Sequence, residues 1–120
     1  MNHLIHIGYP KTSTTWFQKN FYPLVADAVF IERNEILGKI LRKDAFTFHP
    51  EVTAQYFSKF HPDRILICEE EILVDRRNNG LRTTENARRI HAIFPQADIV
   101  IFIRKQADIM ASRYSQHILA

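Results

Sequence analysis

Two apolar runs constrain this chain more than anything else in its sequence. They are Arg-Ile-Leu-Ile-Cys-Glu at 64–69 and Asp-Ile-Val-Ile-Phe-Ile-Arg at 98–104. A strand with one wet face alternates apolar and polar residues, whereas these are nearly continuous, so each is expected to be covered on both faces. The second is the clearest buried strand in the sequence. Strands of that kind pair in parallel, and parallel neighbours can be joined only through a crossover, usually a helix. The intervening segments meet that demand. Further strands are predicted at 3–7 and at 28–32, where the sequence reads Ala-Val-Phe-Ile-Glu.

Helical spacing is found between the strands. A helix is predicted from Ser13 to Tyr22, stopped by Pro23, and another from Glu35 to Arg42, capped by Asn34 and carrying Ile36, Leu37, Ile40 and Leu41 on one face. Pro50 opens a third, to Phe60, with Val52, Tyr56, Phe57 and Phe60 as its stripe. Thr83 or Thr84 is expected to cap a fourth, to about Phe94 ahead of Pro95, with Ala87, Ile90, His91 and Phe94 expected inward. A last helix is predicted from Gln106, with Ala107, Met110, Ala111, Tyr114 and Ile118 apolar. This alternation specifies one α/β domain over residues 1–120, with a mainly parallel sheet of about four strands flanked by helices and right-handed crossovers.

Composition narrows the setting. The single cysteine, Cys68, excludes an internal disulfide and any cysteine-cluster metal site, and it suits a reducing compartment. No apolar run reaches 18 residues and the first strand begins at once, so no membrane span or signal peptide is expected and the location is read as cytoplasmic. The net charge of +3 suits a phosphorylated or sulfated ligand as well as it suits nucleic acid, and no nucleic-acid partner is expected. The histidines lack metal-ligand spacing, so no metal site is expected.

In parallel sheets ligands sit beyond the carboxyl ends of the strands. Lys11 follows the first strand, Glu69 and Glu70 follow the third, and Arg104 closes the fourth, so three separate segments are expected to converge on one crevice. The first carries the most chemistry. After Gly8 and Pro10 come Lys11, then Thr12, Ser13, Thr14 and Thr15, where a helix begins; strand, turn and helix N-terminus is a geometry that binds phosphate or sulfate. Arg76, Arg77 and Arg82 lie in a basic loop, read as solvated, although it could meet an anionic acceptor or nucleotide.

The run Ile7-Gly8-Tyr9-Pro10-Lys11-Thr12-Ser13-Thr14-Thr15-Trp16 resembles the 5′-phosphosulfate loop of sulfotransferases that use 3′-phosphoadenosine 5′-phosphosulfate (PAPS), commonly Tyr-Pro-Lys-[Ser/Thr]-Gly-Thr-Thr-Trp. The run Ile101-Phe102-Ile103-Arg104, with Ser112 eight positions on, resembles their 3′-phosphate motif. The resemblance implies a three-layer, P-loop-type domain, and a chain that lacks that family's C-terminal portion. It implies PAPS as co-substrate and sulfuryl transfer to a hydroxyl or amine on a small-molecule or carbohydrate acceptor. Pro10, Lys11, Thr12, Ser13, Thr14 and Thr15 would form the loop, with Lys11 contacting the phosphosulfate bridge, and Arg104 and Ser112 would bind the 3′-phosphate. Trp16 would stack on adenine or, at the same spacing, belong to the core. Asp108 is expected to complement the dipole of the last helix.

Two departures are visible: Ser13 stands where the loop glycine is usual, and Lys105-Gln106 where Asn-Pro is usual. The catalytic base implied by the glutamate-using branch is Glu70, with its neighbour Glu69 as the alternative, and clustered carboxylates would raise one another's pKa. Two other readings remain. One is a truncated or non-catalytic fragment that binds the nucleotide. The other is a P-loop kinase, whose G-x-x-x-x-G-K-[ST] motif is not met because Lys11 comes three residues after Gly8 with no second glycine before it.

Overall fold

Strand β1 (Leu4–Gly8) lies inside a four-stranded sheet whose order is β2-β3-β1-β4, every pair parallel. The computed structural model describes residues 2–8, 14–73 and 82–103, with positions 105, 107, 108, 110, 111, 114 and 115. In chain order β1 is followed by α1 (Thr14–Asn20), a 3-10 turn at Tyr22–Leu24, β2 (Ala28–Phe30) and α2 (Arg33–Ile36). A π-helical turn (Leu37–Leu41), α3 (Pro50–Ser58), β3 (Arg64–Cys68), a 3-10 turn at Glu70–Ile72, α4 (Thr83–Ile93) and β4 (Asp98–Phe102) complete it. Ile5 is level with Ile67 on one side and Ile99 on the other, and Val29 is level with Ile65.

That register separates two sets of side chains, because successive residues of a strand face opposite ways. Ile5, Ile65, Ile67 and Ile31 meet Ile36, Leu37, Ile40, Leu41, Phe57, Ile90, Ile93 and Phe94 on one face. Leu66 and Cys68, with Leu4, Ala28 and Phe30 beside them, meet Tyr22, Phe17 and Val25 on the other. Helical segments thus cover both faces, with α1 on one side and α2 to α4 on the other. The continuous apolar run at 64–69 follows from this: Ile65 to Cys68 are all buried.

The other apolar run behaves differently. β4 is not a buried strand: among the described residues it is the sheet edge, and Ile99 and Ile101 stay about half exposed while Ile103 is 81% exposed. Its sequence resembles that of β3, but among the described residues only β1 pairs with it. Met110 and Tyr114, expected on an apolar helical face, are also exposed.

Helix details differ where tertiary contacts override local signals. Asn34 does not cap α2; it lies inside it, and Glu32 takes the cap position without a side-chain cap bond. The expected helix to Arg42 changes pitch: the amide of Arg42 reaches back five residues to the carbonyl of Leu37 at 2.8 Å, the spacing of a π turn. Pro23 sits within a 3-10 turn after α1 has ended at Asn20. In α3 Thr53 and Phe57 are buried and Val52 is exposed. On α4, Ala87 and His91 face solvent, and the buried positions are Asn86, Arg89, Ile90 and Ile93.

Arg89 explains that rotation. It is 2% exposed, and its Nη1 donates to the carbonyls of Ile40 (2.7 Å) and Lys43 (2.6 Å), which close the π turn and have no next turn to serve. Its Nε donates to Glu85 at 3.1 Å, and its guanidinium lies 4.4 Å from the centre of the Phe48 ring. Arg89→Met should therefore lower stability by roughly 2–4 kcal/mol in urea unfolding, since it leaves buried carbonyls unpaired. Arg88→Met removes only the exposed pair with Glu85 and should cost under about 0.5 kcal/mol. Equal effects would contradict the clamp.

Candidate functional site at the carboxyl edge of the sheet

Because every pair is parallel, the carboxyl ends of all four strands lie along one edge. Gly8, ending β1, is level with Phe102, ending β4, and the Glu69 amide prolongs the β1–β3 ladder by donating to the carbonyl of His6 at 3.0 Å. The segment following β1 therefore begins between the ends of β3 and β4. Pro10, Lys11, Thr12 and Ser13 lie outside the described residues, as do Arg104, Ser112, Arg76 and Arg77. Among the predicted site residues, Thr14, Thr15, Trp16, Glu69 and Glu70 are described.

Three consecutive glutamates leave β3 and meet three different environments. Glu69 is fully buried. One carboxylate oxygen accepts from Arg33 Nε at 2.7 Å and the other from the amide of Glu71 at 3.1 Å. Burial pushes its pKa up; the amide of Glu71 and the guanidinium of Arg33 oppose that, and the charge of Glu71 adds only the smallest upward contribution. Glu71 pairs with Arg42 Nη2 at 2.8 Å and Arg33 Nη2 at 3.5 Å, while its carbonyl accepts from Asn86 at 3.0 Å. Glu70, half-buried, points the other way and accepts from the Thr14 hydroxyl at 3.4 Å. Glu69 is thus held in an ion-pair network, and Glu70 is the carboxylate set against the start of α1.

Helix α1 is fastened to the end of β3 by more than this contact. Gln18 donates to the Cys68 carbonyl at 2.7 Å, and the Cys68 thiol lies 3.7 Å from the Thr14 carbonyl. Burial, with the nearby charges of Glu69 and Glu70, pushes the Cys68 pKa up to about 12, so the thiol stays protonated at neutral pH. The Thr14 side chain is buried and directed at Glu70, whereas Thr15 is exposed. Trp16 is 53% exposed and meets Phe17 edge-on at 5.2 Å, so it is not a core residue.

His6 stands two residues before the end of β1. It is fully buried between Phe17, Tyr22 and Phe102, with Nδ1 2.9 Å from the Tyr22 hydroxyl and, among the described residues, no hydrogen-bond partner for Nε2. Arg33 and Gln18 are site-building residues that sequence reasoning missed. Arg33 stands three residues past the end of β2, so the carboxyl-edge argument applied to Lys11 and Arg104 also covers it.

A cleft of about 570 Å³ opens at the same edge beside β2, lined by Gln18, Pro23, Phe30, Glu32, Arg33 and Asn34. Another, of about 240 Å³, lies at the amino edge, where His3, Phe57, Ile65 and Phe94 line it. Among the described residues no group of three His, Cys, Asp or Glu side chains could hold a metal ion, and no helix is long and apolar enough to cross a membrane. No protein-family model, curated protein or solved structure matches this chain.

Burial of His6 pushes its pKa below 6.5, and His3 is shifted the same way, chiefly by burial. In the window below pH 6.5 the unfolded chain therefore binds more protons than the folded one, so this contribution to stability is present above pH 6.5 and lost as pH falls. Glu69, shifted up from 4.5, acts with opposite sign. Chemical unfolding of the native chain between pH 7.5 and 5.5 should show a loss that is smaller in His6→Leu, with the Glu69 contribution common to both. An unchanged slope in His6→Leu would refute the assignment.

Proposed function

We propose that this chain binds PAPS along the carboxyl edge of its sheet and transfers the sulfuryl group to a hydroxyl or amine acceptor. The observation that carries this reading is the Thr14–Glu70 hydrogen bond, which sets a carboxylate against the first helical turn after the sequence that resembles the phosphosulfate loop. Strand order supports it. With β1 between β3 and β4, the segment containing Lys11 and the segment containing Arg104 leave neighbouring strands at the same edge. Helical segments on both faces of the sheet suit a three-layer, P-loop-type domain.

In this reading Pro10 to Thr15 form the 5′ loop and Arg104 with Ser112 holds the 3′-phosphate by charge-assisted bonds. The exposed face of Trp16 is available to stack on adenine. The acceptor atom forms a bond to sulfur while the bond from sulfur to the bridging phosphate oxygen breaks. The departing electron pair leaves on 3′,5′-diphosphoadenosine, where Lys11 stabilises the developing charge, and the acceptor proton passes to Glu70. The Thr14 hydroxyl, already directed at Glu70, orients that carboxylate.

Calorimetric titration with 3′,5′-diphosphoadenosine should show binding at least about tenfold tighter than AMP, the second phosphate adding charge-assisted bonds. Lys11→Ala and Arg104→Ala should each abolish it. Equal affinity for AMP would remove the reading. With PAPS and an acceptor, Glu70→Gln should lower kcat by about 10²–10⁴ while nucleotide affinity is retained. Glu69→Gln should instead show its main effect in stability.

A further inference from the structure

The cleft beside β2 has a chemistry distinct from the phosphate loop. The geometry points to a site for a neutral polyhydroxylated ligand, a short saccharide, in the 570 Å³ cleft formed by Gln18, Pro23, Phe30, Glu32, Arg33 and Asn34. Its size lies within the roughly 300–1,000 Å³ of small-molecule sites. Two flat apolar groups, the Pro23 ring and the Phe30 ring, can meet the C–H face of a pyranose. Side-chain amides and a carboxylate (Gln18, Asn34 and Glu32) supply both donors and acceptors, the pairing that adjacent hydroxyls require.

Charge excludes the obvious competitor. Among the described residues of the lining Arg33 is the one cation, and its guanidinium is held by buried Glu69 at 2.7 Å and by Glu71 at 3.5 Å. Its positive charge is therefore matched from beneath, and Glu32 leaves the described lining neutral to negative. A phosphate or sulfate would meet an uncompensated carboxylate there, whereas a neutral polyol would not. The walls are also held in place: Gln18 by the Cys68 carbonyl at 2.7 Å, and Arg33 by Glu69. A ligand would find these groups already ordered, which lowers the entropy cost of binding.

Position gives the cleft a use. β2 is separated from β1 by β3 alone, two strand spacings or roughly 10 Å. A saccharide seated at the end of β2 could extend a hydroxyl past the end of β3 to Glu70. If the sulfuryl-transfer reading holds, this is the acceptor site; saccharide binding itself does not depend on that reading.

The test is a heteronuclear NMR titration of the full chain with chitotriose, without nucleotide. Saturable shifts are expected at Gln18, Phe30 and residues 32–34, with a dissociation constant of roughly millimolar for so open a site. Glu32→Ala/Asn34→Ala should weaken binding by about tenfold with the spectrum otherwise retained, the loss of one or two hydrogen bonds. Inorganic sulfate should not compete. Absence of saturable shifts, shifts mapping elsewhere, equal binding by the double variant or displacement by sulfate would each overturn the assignment. Because 3′,5′-diphosphoadenosine is titrated separately, failure here is distinguishable from failure of nucleotide binding.

Discussion

The parallel pairing of β1 with β3 and β4 is the constraint on which the rest of the structure depends. A strand paired on both sides satisfies its backbone groups internally and is free to be covered on both faces. Ile5 and His6 are accordingly both fully buried although they face opposite ways. The same pairing decides where chemistry can occur. Parallel strands present their carboxyl ends together, so segments far apart in sequence (after residues 8, 68 and 102) reach one edge. Antiparallel pairing anywhere in this set would send one of them to the opposite side.

At that edge, charge is managed by division of labour. Burying Glu69 is tolerated because Arg33 and a backbone amide meet its two oxygens, and Arg33 is itself shared with Glu71, which also takes Arg42. Removing one member would expose the desolvation cost of another, as in any buried ion-pair network. The network lies beneath the Thr14–Glu70 contact, and through Arg33 it forms part of the wall of the β2 cleft. The fastening of α1 through Gln18 and Thr14 has the same character: polar bonds to the end of β3 hold a seven-residue helix too short to be stable on its own propensity.

Much of this was legible in the sequence, for local reasons. Period-two and continuous apolar runs marked all four strands within a residue or two, and Pro50 and Pro95 marked helix limits because their effects act within one turn. The expected threonine cap of α4 does not form, since Arg82 takes the cap position and the Thr83 hydroxyl donates to the Leu73 carbonyl. On sequence alone Glu70 is the candidate base, with Glu69 as the alternative. Alternation places them on opposite sides, but which side holds Arg33 depends on β2 lying next to β3, a long-range fact. The buried face of α4 was misread for a related reason. Arginine 89 reads as a surface residue, and only the unpaired carbonyls of Ile40 and Lys43, more than forty residues away, turn it inward.

The sequence by itself determined the kinds of element, their order, and that the strands would present their carboxyl ends along one edge. These follow from backbone hydrogen bonding and side-chain periodicity, which are properties of short segments. Tertiary structure decided which apolar run is core and which is edge, which glutamate is locked and which is turned towards Thr14, and that the polar cleft beside β2 exists. Burial and charge pairing are set by neighbours in space. Two runs as alike as 64–69 and 98–104 therefore end differently, because among the described residues one has a strand on each side and the other has a strand on one side.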